Sequence, residues 1–165
     1  MPLDPIPASS QSGGRWKIAF VPADEGIDPL SVADIIAEGT NVTYSFTPDG
    51  FNRTLTQTTI TDPRLTLEQD LSRPGKATEA LAVRYVESQD PDSANILLTQ
   101  GTAGYFVIRR GIANDVEWAV GQKVDVISFE AGIQRPAAPT DNGMDLIDSD
   151  MFITDATKRN VTLVA

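Results

Sequence analysis

The chain has 165 residues with 41% apolar side chains, enough for one domain with its own core, and 13 Lys+Arg against 23 Asp+Glu give a formal charge of −10. It contains neither Cys nor His, which excludes disulfides, thiolate nucleophiles, Cys- or His-ligated metals and every triad built on an imidazole base. The acidic balance also argues against a duplex-DNA binder of the ordinary kind, because DNA carries about one negative charge per 1.7 Å and calls for a basic surface.

Met1–Gly14 is rich in Pro, Ser and Gly, with neither a basic flank nor an apolar run. It reads as a flexible arm rather than a signal peptide. No apolar stretch approaches the ~20 residues that span a bilayer, so a soluble protein made in a reducing cytoplasm is expected. Residues 15–165 form the predicted β domain. In Arg15–Val21, Trp16, Ile18 and Phe20 alternate with Arg15, Lys17 and Ala19, the period of a half-buried strand ended by Pro22. Asp28–Gly39 reads as a short helix, with Pro early, Leu30, Ala33 and Ile36 at helical spacing, and Gly39 at its end.

Asn41–Thr47 alternates Val42, Tyr44 and Phe46 with Thr43 and Ser45, so a strand is expected, and Pro48–Phe51 is expected to turn the chain. Arg53–Thr61 is Thr-rich with few large apolar residues, which suits an edge strand or a contact between copies. The pattern lapses from Asp62 to Lys76, where Leu65, Leu67 and Leu71 sit among Pro, Gly and charges. A loop this long inside a compact domain is functional or disordered. Its three Leu favour a segment that orders against another subunit.

Thr78–Glu87 is a strand with Leu81, Val83 and Tyr85 on one face, and Pro91–Thr99 a helix that Asp90 caps and Gly101 stops. Ala103–Arg110 and Gly121–Gly132 are further strands, the second placing Val124, Val126 and Ser128 on one face. Residues 133–143 are a flexible excursion, and Met144–Thr154 and Asn160–Val164 complete the sheet around the turn Asp155–Lys158. Mostly strands with one or two short helices means a mainly β fold, an antiparallel β-sandwich or barrel.

Few constellations carry chemistry. Asp141, Asp145, Asp148, Asp150 and Asp155 offer oxygens to Ca²⁺, but the calcium-loop register and its distal Glu are missing, and a solvated acidic face explains them equally. Paired carboxylates for glycoside hydrolysis need a sugar cleft, and no aromatic platform accompanies the 23 acids. No complete phosphate loop is present, and the three Asn-x-Thr triplets are ordinary in a Thr-rich β protein. Arg109-Arg110 suit phosphate or, in so acidic a chain, carboxylates across a subunit contact. No cofactor and no catalytic residue are expected.

Trp16-Lys-Ile-Ala-Phe-Val-Pro22, Gly39-Thr40, Phe46-Thr-Pro-Asp-Gly-Phe-Asn52, Leu81–Val86, Gly101–Gly111, Gly121–Val126, Met151–Thr154 and Val161–Val164, in that order and spacing, resemble the major tail tube proteins of long-tailed (siphovirus-type) phages of actinobacteria. The resemblance covers nearly everything after Gly14. It implies a β-sandwich with a flanking helix, six copies closing into a ring, and rings stacking into a tube through which genome DNA passes. It further implies tape measure, tail tip and tail terminator partners, assembly in the host cytoplasm, a place in the virion tail and no membrane. An acidic channel lining would let DNA slide, with Asp125 and Glu130, or Asp148 and Asp150, as candidate lumen-facing acids. Leu65, Leu67 and Leu71 are the candidate inter-subunit residues. Alternatives are another virion β protein, such as a tail terminator or capsid decoration protein, and a carbohydrate- or protein-binding β-sandwich module.

Overall fold

A computed structural model describes residues 8–165. The elements are β1 (Trp16–Pro22), α1 (Val32–Glu38), β2 (Thr40–Asn41), a 3-10 turn (Thr43–Ser45), β3 (Phe46–Asp62), β4 (Leu71–Val86), α2 (Ala94–Leu97), β5 (Ala103–Arg110), β6 (Lys123–Ala131), β7 (Arg135–Pro136), β8 (Leu146–Ile153) and β9 (Lys158–Thr162). They form one sheet in the order β2-β1-β5-β6-β8-β4-β3, with β7 attached to β8 and β9 to β6. Every ladder is antiparallel. The fold is mainly antiparallel β, as expected.

The sheet is folded over on itself. β3 and β5 lie four steps apart in it, about 19 Å if the sheet were flat. Yet the rings of Phe51 (β3) and Phe106 (β5) are 5.5 Å apart, edge to face. Phe106 also stacks on Phe129 of β6 at 4.1 Å, and Phe20 of β1 lies 5.9 Å from Phe129. The alternating residues Ile18 and Phe20, Leu81, Val83 and Tyr85, Phe106 and Ile108, Ile127 and Phe129 therefore fill one shared interior. Burial of these side chains, each worth about 1.5–3 kcal/mol, is the main force for folding.

A second, smaller core covers the outer face of β1, β5 and β6. Ala19, Val21, Val107, Val124 and Val126 are capped there by Ile35 of α1, by Trp118 and by Leu163. Arg109, fully buried, extends this layer: its guanidinium donates to the carbonyls of Ala113, Val116 and Glu117 and to Gln122 Oε1 at 2.8–3.1 Å. It also lies 5.0 Å from the Trp118 ring. Arg109 thus fixes the 111–122 connection within its own chain. Arg110 pairs with Asp125 of the same chain at 3.3 Å. The expectation that this dipeptide serves carboxylates of a neighbouring copy is corrected on both counts.

Local chemistry moves several boundaries. Ser31 caps α1 by accepting the Asp34 N–H, while Asp28 Oδ1 takes the Leu30 N–H at 2.9 Å, so the helix begins at Val32 rather than Asp28. Asn41 Oδ1 accepts from Thr43 N and Oγ1 at 3.1 and 2.6 Å. This side-chain turn breaks the strand expected over Asn41–Thr47, burying Val42 and leaving Tyr44 84% exposed. Pro48–Phe51 does not reverse the chain; it is a bulge within β3, between Phe46↔Tyr85 and Phe51↔Val83. Gly50 is required there, since a Cβ would run into the Arg84 carbonyl. α2 starts after Ser93, not at Pro91: Asp90–Ser93 close a separate turn, the Ser93 N–H on the Asp90 carbonyl, and the first helical bonds run to the Ser93 carbonyl. Gln134 Nε2 lies 2.9 Å from Tyr85 Oη and 2.9 and 3.1 Å from the Asn95 and Leu98 carbonyls, binding α2 to the sandwich.

The expected arm lies partly outside the described residues: Met1–Pro7 are not among them, and Ala8–Gly14 are exposed, with the Arg15 N–H closing a turn on the Ser12 carbonyl. The 133–143 segment contributes β7, a two-residue pairing with β8.

Candidate functional site

The most distinctive feature is the β3–β4 hairpin. The two strands pair from Phe46↔Tyr85 out to Asp62↔Leu71. β4 leaves its other neighbour at Leu81↔Met151. From there outward, strand residues 54–62 and 71–80 are a two-stranded ribbon exposed on both faces apart from Asp62, Gly75 and Glu79. The loop expected over Asp62–Lys76 is therefore only residues 63–70. Pro74 and Gly75, which suggest a turn, sit at a bulge between Gln57↔Ala77 and Thr59↔Pro74. A Cβ on Gly75 would come 2.5 Å from Thr58 Oγ1, so the bulge demands Gly. The extra residue also breaks the period of two that marks a strand.

Leu65 is fully exposed and Leu67 44% exposed in the tip, and Leu71, 51% exposed, opens β4. Leu55 and Ile60 of β3 are each 56% exposed. An isolated two-stranded ribbon is marginally stable in water, and a run of bare apolar side chains is a surface awaiting cover. The residues Thr54–Thr61 carry no charge, and β3 ends the sheet, so its outer edge lacks the Lys or Pro that usually blocks edge pairing.

The four candidate acids fall into three settings. Asp125 does not face outward. It shares the inner face of β6 with Ile127 and Phe129, opposite Ile108 of β5, and a bulge in β9, with Asn160 at φ 52°, brings a backbone N–H to it. There it accepts the Asn160 N–H at 2.8 Å and meets Arg53 at 3.0 Å and Arg110 at 3.3 Å. Burial would raise its carboxyl, but the Asn160 and Arg53 hydrogen bonds and both arginine charges outweigh this and hold it below the usual range. Its place as a lining acid is withdrawn, since an inward, doubly paired carboxylate presents no charge to a channel.

Asp148 and Asp150 share the outer face of β8. Asp148 forms a two-point pair with Arg84 at 2.6 and 3.0 Å, which holds its carboxyl below the usual range. Asp150 pairs with Arg135 at 3.3 Å. Glu130 is exposed at the end of β6, opposite Phe152, itself 62% exposed. Among the described residues, no layer like that over β1, β5 and β6 covers the outer face of β8 and β4, where Phe152, Ala80 and Ala82 are exposed. The acids from Asp141 to Asp155 do not converge: among the described residues no three Asp or Glu lie together in a way that could hold a metal ion. Nor, among these residues, is any helix long and apolar enough to cross a membrane.

The sequence reading missed Arg53 and Glu79. Arg53 contacts Glu79 at 3.0 Å as well as Asp125, and Arg159 of β9 reaches Glu79 at 2.7 Å. The signal was available: both sit in phase with the buried stripes, Arg53 two residues after Phe51 and Glu79 two before Leu81. A charge continuing an apolar alternation needs a partner.

An exposed hairpin, an uncharged strand edge and a bare outer sheet face are surfaces of the kind that a partner covers. No curated protein matches the sequence. The family model described as phage tail tube protein matches residues 4–165, nearly the whole chain. The protein belongs to the phage tail tube protein family and is a structural component of a phage tail.

Proposed function

We propose that copies of this chain close into hexameric rings that stack into the tail tube of a siphovirus-type phage, of the actinobacterial kind its motifs resemble. The tube assembles in the host cytoplasm around the tape measure protein, between tail tip and terminator, and conducts genome DNA without binding it specifically. No catalytic step is assigned to the chain. The observation that carries this reading is the β3–β4 hairpin, bare on both faces and tipped by Leu65 and Leu67. Such an element gains its stability from a neighbouring copy, and Leu71 at the start of β4 belongs to the same contact. The uncharged β3 edge supplies a second route for pairing between copies.

For the channel, Glu130 and Asp150 are the exposed acids of the candidate set, and Asp148 and Asp150 present carboxylates already balanced by Arg84 and Arg135. Screening confines repulsion of DNA to about 8 Å at physiological salt, so a sparse lining acts only on phosphates passing close to it.

The test replaces residues 63–70 with an Asn-Gly turn, which closes a two-residue hairpin. The parent should give filaments of constant width in electron micrographs. The variant should keep its circular dichroism and melt cooperatively, yet form none. Filaments of normal width and yield from the variant would overturn the role given to the tip.

A further inference from the structure

At the root of the hairpin, five charged side chains from five strands alternate in sign: Arg159 of β9, Glu79 of β4, Arg53 of β3, Asp125 of β6 and Arg110 of β5. The successive distances are 2.7, 3.0, 3.0 and 3.3 Å. The side chains of Glu79 and Asp125 are only 9% and 7% exposed. The cluster sits where the ribbon parts from the body, two residues beyond the last β4–β8 pair, Leu81↔Met151. Among the described residues β3 has no sheet partner except β4, and Arg53 to Asp125 links it by charge to the opposite layer.

Stability alone is a poor reason for such a cluster. Buried ion pairs cost desolvation, and apolar side chains of equal volume often hold a fold as well or better. What charges add is direction: a guanidinium fork satisfied by two carboxylates tolerates little rotation. Direction matters at this point because the ribbon is a lever. The nine residues from Glu79 to Leu71 span eight rises, about 27 Å, so a tilt of about 6° at the root moves the tip by about 3 Å. We propose that Arg53, Glu79 and Asp125 form a catch that sets the angle of the hairpin relative to the sandwich, positioning it for a neighbouring copy. The angular claim stands independently; its use in assembly rests on the function proposed above.

The absence of Cys makes the measurement direct. Spin labels on Thr61→Cys, near the end of β3, and Ala37→Cys, on the exposed side of α1, report the angle as an inter-label distance. The parent should give one narrow distribution. Arg53→Lys, which keeps the charge but loses the fork, and the triple variant Arg53→Met/Glu79→Gln/Asp125→Asn should each at least double its width. Near-UV circular dichroism should stay unchanged, and tube formation should slow by about tenfold or more. An unchanged narrow distribution in both folded variants overturns the proposal. So does loss of the folded state in both, since the cluster would then be a structural support rather than a catch. A broadened distribution with tubes forming at the parental rate upholds the catch but refutes the hairpin as an assembly element.

Discussion

Among the described residues Arg109 is the largest fully buried side chain, and none of their carboxylates lies within ion-pair distance of it. Burial pulls its guanidinium below the usual value, opposed by the charge of Glu117. What holds it is a set of carbonyls from residues 113, 116 and 117, each shared with a second donor, the Val116 N–H, Lys17 Nζ and Gln122 Nε2 in turn. Lys17, also buried, adds a bond to the Val116 carbonyl at 3.3 Å and lies 5.4 Å from the same ring. Arg109→Met keeps the packing volume but removes the charge-assisted bonds that tie residues 113–122 to β5, so it should cost on the order of 3 kcal/mol. Urea unfolding checks this as a lower midpoint at unchanged slope.

Asp125 and Glu79 give the residue scale a pH signature. In Glu79 too, burial would raise the carboxyl, and hydrogen bonding with the charges of Arg53 and Arg159 reverses the direction. With both groups depressed in the folded state, the unfolded chain binds more protons as the pH falls through the ordinary carboxylate range near about 4. Their contribution is therefore present above that range and is lost toward the lower folded values. Thermal midpoints between pH 7 and 3 should fall on acidification, and more shallowly for Glu79→Gln/Asp125→Asn than for the parent. Parallel curves would mean that the pairs do not titrate with folding.

At the scale of elements, legibility followed periodicity. β5 is recovered residue for residue, and Leu81, Val83 and Tyr85 lie on the buried face their alternation implies, because a strand with one wet face prints its period directly. The errors cluster where a side chain or an extra residue interrupts that period. Asn41 captures Thr43 and cuts a strand in two. Gly50 and Gly75 mark bulges and read as turns, which shortened β3 at one end and hid the start of β4 at the other. Both cases have one cause: a bulge and a turn call for the same residue types, and only the partner strand tells them apart. The inward face of Asp125 follows from its alternation with Ile127 and Phe129, but its partners were illegible, since they are a bulge in β9 and an arginine 72 positions away.

For the whole molecule, the charge is not merely negative but polar. The end of the sandwich formed by the loops after β1 and β4 and before β8 carries Asp24, Glu25, Glu87, Asp90, Asp92 and Asp145, and segments 23–28, 86–102 and 140–145 contain no Lys or Arg. The opposite end, from which the hairpin departs, brings Arg15, Arg53, Arg110, Lys123, Lys158 and Arg159 together with Glu79, Asp115, Glu117 and Asp125, six positive charges against four negative. Rings stacked head to tail would bring unlike ends together, so charge should assist stacking even though copies of net charge −10 repel at a distance. The two effects separate by salt and mutation. Lys123→Glu/Lys158→Glu, both exposed, should assemble more slowly than the parent at 50 mM salt. The two rates should converge at 1 M, where the screening length is about 3 Å. Equal rates at low salt, with both variants folded, would mean that stacking rests on apolar and backbone contacts, and that the polarity of the charge serves something other than the ring-to-ring interface.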